Sequence, residues 1–124
     1  MKTEVDRFTL CLYTLKCADL GHCAKALYLH KEWSRRVLEE FLNQGDHELE
    51  LGLSISDGMD RRTAELEMSQ YRFISSVIQP LYSLYASRFP ACSTCLDQIT
   101  ENAAWNKNAS EERQRTLSSS SSSP

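Results

Sequence analysis

Large apolar residues recur every fourth position through the middle of the chain, at Leu29, Trp33, Val37 and Phe41. That interval places them on one side of an α-helix. Lys31, Glu32, Arg35, Arg36 and Glu39 stand between them and suit the wet side. The pattern predicts a helix over roughly Leu27 to Gln44. Gly45-Asp46 either ends it or loosens a helix that runs on to Leu51. Upstream, Val5, Phe8, Leu12 and Leu15 share a face, and nothing breaks the run from Met1 to Lys16. Asp19-Leu20-Gly21-His22 then reads as a turn between helices.

Beyond the long helix, GLSISDGMDRR (52–62) is a loop, because its glycines and aspartates favour turns, and Thr63 can cap a short turn. A third helix is expected from about Leu66 to Arg88. Phe73, Val77, Leu81 and Leu84 form its expected buried stripe, with Gln70 one turn ahead of Phe73. Pro80 lies inside this helix and should bend it, since proline removes a backbone donor. Pro90 ends it. A fourth helix follows from about Cys92 to Asn106, with Leu96, Ile99 and Trp105 inward. From Ser110 the chain is charged and then turns into six serines, Ser118 to Ser123. That composition buries little apolar surface and predicts a disordered tail over 110–124, behind a folded unit over 1–109. No repeat and no strand pattern is present, so the expected class is all-α.

Composition narrows the roles. The chain has 124 residues, 41% of them hydrophobic, which fits one small globular domain or a piece of a larger one. A net charge of −3 argues against a nucleic-acid partner, which requires a concentrated basic face. No apolar run reaches the roughly 18 residues needed to span a membrane. The opening MKTEVDRFTLCLYTL has too short an apolar core, with acids at Glu4 and Asp6 ahead of it, unlike a signal peptide. Five cysteines, Cys11, Cys17, Cys23, Cys92 and Cys95, with no targeting segment suit free thiols in a reducing cytoplasm. Cys92 and Cys95 form a CxxC, the pattern of a redox pair or of half a zinc site, but no second ligand pair at zinc spacing follows it. Asn108-Ala109-Ser110 fits a glycosylation pattern only by chance in such a chain.

The candidate chemistry is sparse. Asp19 at the interhelical turn is either a local cap or a hard oxygen ligand for a metal. His22 is either a second ligand or a polar contact. Gln70 carries a carboxamide that donates and accepts together, as reading a base edge requires, although a lone surface glutamine is usually solvated.

Ten short motifs stand in order along the chain: K-C-A-D at 16–19, A-K at 24–25, W at 33, E-E-F at 39–41, Q-G-D at 44–46, G-L-x-I-S at 52–56, D-R at 60–61, S-Q-x-x-F-I at 69–74, P-L at 80–81 and N-x-x-W at 102–105. In this order and spacing, from about Asp6 to Trp105, the chain resembles the C-terminal portion of the catalytic domain of class I cyclic nucleotide phosphodiesterases. The resemblance implies a compact all-α fold around a deep pocket and hydrolysis of the 3′ phosphodiester bond of cAMP or cGMP. It also implies two divalent cations, zinc with magnesium or manganese, holding an attacking hydroxide.

Carried over position by position, Asp19 takes the place of the last metal-ligating aspartate. Gln70 takes that of the glutamine on the purine, and Phe73 that of the stacking aromatic. Val37 resembles the apolar side chain on the opposite face of the purine. His22 replaces an Asn or His near the nucleotide, Trp33 and Phe41 match pocket-wall or core residues, and 52–62 resembles a loop at the pocket entrance. The chain departs from the family at Arg72 for Gly, Ser75 for Asp and Tyr71 for Val or Ile.

The family's His-Asn-x-x-His and His-Asp metal motifs and its histidine acid are not among these residues, and would lie upstream of residue 1. The expectation is therefore a phosphodiesterase portion that is inactive alone. The alternative is a non-catalytic helical piece that associates with itself or another protein through an uncovered core face. Gln70 can serve either purine by turning its amide, so cAMP and cGMP stay open.

Overall fold

A computed structural model describes residues 3–120, which form helices joined by short turns. Helix α1 spans Glu4–Asp19 and a 3₁₀ turn spans Gly21–Ala24. Helix α2 spans Leu27–Glu50. Helix α3 (Leu66–Phe73) passes through a π-helical turn, Ile74–Ile78, into α4 (Gln79–Arg88). A second 3₁₀ turn, Pro90–Cys92, leads into α5 (Ser93–Ser120). The all-α expectation holds, and no strand occurs among the described residues.

Local chemistry sets these boundaries. Thr3 caps α1: its hydroxyl accepts from Asp6 N–H at 3.2 Å, and the Asp6 carboxylate accepts from Thr3 N–H at 3.2 Å. Met1 and Lys2, also expected to be helical, lie outside the described residues. Gly45 does not end α2, which continues for five more residues to Glu50. Glycine is required there for another reason. A Cβ at Gly45 would lie 2.0 Å from the Met59 carbonyl oxygen, so the helix and the following loop touch backbone to backbone. Glu48 holds the same loop by accepting from Ser56 N–H and Oγ–H. Gly52 and Gly58 turn it with positive φ.

The π turn sits just ahead of Pro80, and Gln79 N–H donates to the carbonyl of Ile74, five residues back. This wider turn absorbs the proline, which cannot donate to the carbonyl four residues behind it. It also keeps Gln70, Ile74, Ile78 and Tyr82 on one buried side, although intervals of four drift around a 3.6-residue helix.

The core gathers Ile74, Ile78 and Ile99 with Cys17, Cys23, Tyr82 and Ala103. The buried stripes differ from those expected. In α2 the buried positions are His30, Ser34, Leu42 and Gly45, while Leu29, Trp33 and Phe41 are exposed and Val37 is half-buried. In the third segment Ile74, Ile78 and Tyr82 are buried. Phe73 and Leu81 line the edge of the core, and Val77 and Leu84 are exposed. On α1, Val5, Phe8, Leu12 and Leu15 are all at least half exposed. On α2 and along α3 and α4 the buried stripe is offset by one position from the expected one, whereas Ile99 of α5 is buried as expected.

The expected disorder from Ser110 is also corrected over the described residues. Helix α5 runs on to Ser120, Ser110 is buried, and Arg113 pairs with Glu67 at 2.8 Å. A helix already nucleated at Ser93 extends at little cost. The hydroxyls of Ser118, Ser119 and Ser120 donate to carbonyls three residues back. Residues 121–124 of the expected tail lie outside the described residues.

Candidate functional site

Asp19 is the last residue of α1. Its side chain is 66% exposed and pairs with Lys16 at 3.6 Å. It opens onto an apolar groove with Thr9, Leu12, Tyr13, Leu15 and Leu81, which neither Gln70 nor Phe73 lines. The end of α1 is fixed from below, where Tyr82 Oη donates to the Cys17 carbonyl at 2.6 Å. Burial pushes the Tyr82 phenol up to about 12, so it remains a donor.

Gln70 is buried, not solvated. Its Oε1 accepts from Ser34 Oγ at 3.2 Å, which ties α3 to α2. Leu66 and Glu67, at the start of α3, share a groove with Leu27, Tyr28 and Lys31 at the start of α2, so the two helices run in the same sense. Three residues beyond the bond, each helix presents one of the expected purine-facing residues: Val37 on α2 and Phe73 on α3, both half-buried. Of the departures from the family pattern, Arg72 is exposed, while Tyr71 and Ser75 are half-buried. Lys107 Nζ lies 5.8 Å from the Tyr71 ring.

A polar seam lies behind Gln70. His30 is fully buried, with Nδ1 3.5 Å from Ser34 Oγ and Nε2 2.9 Å from Asn106 Nδ2. Asn106 also donates to the Asn102 carbonyl at 2.8 Å. Asn102 in turn donates to the carbonyls of Cys23 and Lys25, both at 2.8 Å, and so pins the 3₁₀ turn to α5. The His22 ring stacks on His30 with centroids 5.4 Å apart and planes 7° from parallel. Burial, aided by His22, holds the His30 imidazole down at about 4, and burial also lowers His22. Among the described residues no buried side-chain nitrogen or oxygen lacks a partner.

Sequence reasoning missed Ser34, His30 and Asn106, and met Asn102 only inside a motif. The available signal was polar residues at helical spacing, 30 and 34 on α2 and 102, 106 and 110 on α5.

Arg61 anchors the expected entrance loop to α2. Its guanidinium donates to Asp46 at 2.9 Å, Asn43 at 3.1 Å and Glu39 at 3.2 Å. These bonds and the Gly45 contact seat the loop along α2.

A dinuclear metal centre needs several donors around shared ions. Asp19 offers one exposed carboxylate, already paired with a lysine, on an otherwise apolar groove. That donor set by itself does not fit two cations. Among the described residues, the group of three potential donors that lies close together is elsewhere, at His22, Cys23 and His30. No helix among the described residues is long and apolar enough to cross a membrane.

Residues 1–99 match the family model described as 3′5′-cyclic nucleotide phosphodiesterase. The chain is 40% identical over 101 residues to 3′,5′-cyclic-AMP phosphodiesterase 4C of Mus musculus, covering 81% of this chain and 15% of that protein. It is 39% identical over 101 residues to the Rattus norvegicus protein of the same name, covering 81% of this chain and 19% of that one. The chain therefore spans less than a fifth of the length of these curated relatives.

Proposed function

This chain belongs to the 3′5′-cyclic nucleotide phosphodiesterase family, and from that premise we propose that it supplies the purine-binding wall and one metal carboxylate of a cyclic nucleotide phosphodiesterase catalytic domain. Residues 1–109 form this portion. The observation that carries the reading is the bond from Ser34 to Gln70. It fixes the carboxamide at a seam between two helices, three residues ahead of the ring that would stack on the base. A carboxamide offers a donor and an acceptor to a purine edge, and an aromatic plane offers stacking.

Gln70 meets the edge of the purine and Phe73 one face in this reading. Val37 meets the other face, and His22 lies near the nucleotide. The names of the relatives favour cAMP as substrate over cGMP. Zinc with magnesium or manganese would use Asp19 only together with donors that are not among these residues, so the chain alone turns over no substrate. Its five thiols, all free, favour a cytoplasmic setting.

The test is a chimera in which residues 1–109 replace the matching segment of the mouse relative. Cyclic AMP hydrolysis is expected from the chimera and not from the 124-residue chain. Asp19→Ala should abolish turnover, and Phe73→Ala should raise KM about tenfold or more, the loss of roughly 1.4 kcal/mol of binding. Turnover retained in the Asp19→Ala chimera would remove the metal assignment.

A second reading, a non-catalytic helical piece that associates through a bare apolar face, is favoured by α1. Val5, Phe8 and Leu15 are each 65% exposed or more. Concentration-dependent self-association in sedimentation experiments would support it, and a monomer at all concentrations would count against self-association.

A further inference from the structure

The turn after α1 and the first turn of α2 bring three donors together. His22 and Cys23 are neighbours on the 3₁₀ turn Gly21–Ala24, and His30 faces them from α2. One donor atom from each lies within 4.8 Å of the other two. Cys23 and His30 are fully buried, and His22 is half-buried, which leaves a side for solvent to enter. We propose that His22, Cys23 and His30 form a zinc-class metal site, separate from the metal centre to which Asp19 would contribute.

The donor set selects the ion. Two imidazoles and a thiolate with no carboxylate suit a borderline or soft cation such as zinc, not magnesium, manganese or calcium. The spacing agrees. Zinc holds sulfur at about 2.3 Å and nitrogen at about 2.0–2.1 Å, so tetrahedral S–N edges are roughly 3.5 Å. Cys23 Sγ lies 3.7 Å from His22 Nε2 and 3.9 Å from Nδ1. The near-parallel rings of His22 and His30 cannot both point at one ion, so the His22 ring turns on binding. It is the ligand with room to do so. Three protein donors leave a fourth position for water on that side.

The support around the donors is already in place. Asn106 holds one ring nitrogen of His30 at 2.9 Å, and its amide can present either atom. Such outer contacts fix the ring and tautomer of a ligating histidine. Asn102 holds the backbone of Cys23 and Lys25. Both sides of the site are therefore braced by α5. Binding exchanges the Cys23 S–H for an S–metal bond, and the released proton passes to buffer. The inference does not depend on the nucleotide reading, but a His22 bound to metal is withdrawn from nucleotide contact.

The test uses the full 124-residue chain carrying Cys92→Ser and Cys95→Ser, with Co²⁺ as the optical probe and Zn²⁺ as its competitor. One cobalt per chain is expected, with a thiolate-to-cobalt charge-transfer band that zinc removes. Cys23→Ser should abolish the band, and Asp19→Ala should leave it intact. His22→Ala, at a half-exposed position that the fold tolerates, should weaken zinc binding at least tenfold. Asn106→Ala should weaken it about 10- to 100-fold. A band that survives Cys23→Ser, an unchanged affinity in His22→Ala, or no saturable zinc uptake would overturn the proposal.

Discussion

Helix α2 carries two stripes one residue apart, and they are built in opposite ways. The large apolar side chains of Leu29, Trp33 and Phe41 face solvent. Beside them, His30 and Ser34 are buried and bonded to Gln70 and Asn106. Farther on, two apolar stripes are divided the same way, with Val77 and Leu84 exposed and Ile78 fully buried. Size and apolarity therefore do not decide which stripe is interior. What decides it is whether the opposing helix presents a surface that fits, and a polar stripe goes inside when every group finds a partner.

The largest test of this contrast is at the isoleucine centre. Ile78→Ala should cost about 2–5 kcal/mol in urea unfolding, because Ile78 is fully buried among Ile74, Ile99 and Tyr82. Next comes the charge state of the polar seam, measured in chelator-treated protein. His30 is held near 4 in the folded chain against an ordinary 6.5. Above pH 6.5 neither state takes up the proton. Below it the unfolded chain is protonated at this residue and the folded one is not. Stability should therefore fall as pH drops from 6.5 to 4, by about 3 kcal/mol, and the loss should level off below that. A His30→Gln variant should show a flatter slope in the same window.

A smaller effect is expected from Asn106→Ala, which leaves His30 Nε2 buried without its partner. About 1–3 kcal/mol of stability should be lost on denaturant unfolding. The smallest is expected on the exposed stripe. Phe8→Ser should change stability by no more than about 0.5 kcal/mol while lowering any tendency to associate. A large loss there would mean that α1 is covered in solution.

Much of this could be read from the residues beforehand. The all-α class, the turn at Gly21 and the loop over 52–62 follow from periodicity and from turn-forming residues. The ordered motifs indicated the family. Which stripe is buried did not follow, because apolar spacing at 29, 33, 37 and 41 records a surface fit to be covered and does not identify what covers it. Gly45 left the end of the helix open because a glycine in sequence does not reveal that another backbone passes beside it. Ser110 looked like the start of a tail because the helix behind it, nucleated at Ser93, could not be weighed against the composition ahead. Asp19 and Gln70 were singled out by motif, but the buried partner of Gln70 was not. Ser34 lies 36 residues from Gln70, and Asn106 lies 76 from His30.

The bond from Tyr82 to the Cys17 carbonyl has a mechanical consequence. It clamps α1 near its far end, and the Thr14–Tyr85 contact adds a second fastening at mid-length. The front of the rod, from Glu4 to Thr9, is exposed, with Asp6 and Thr9 lining an open groove that Ser87 and Arg88 share. Amide exchange should be quicker toward that front than at the clamp. Asp19 stands just beyond the fulcrum, where swinging of the tip moves it least.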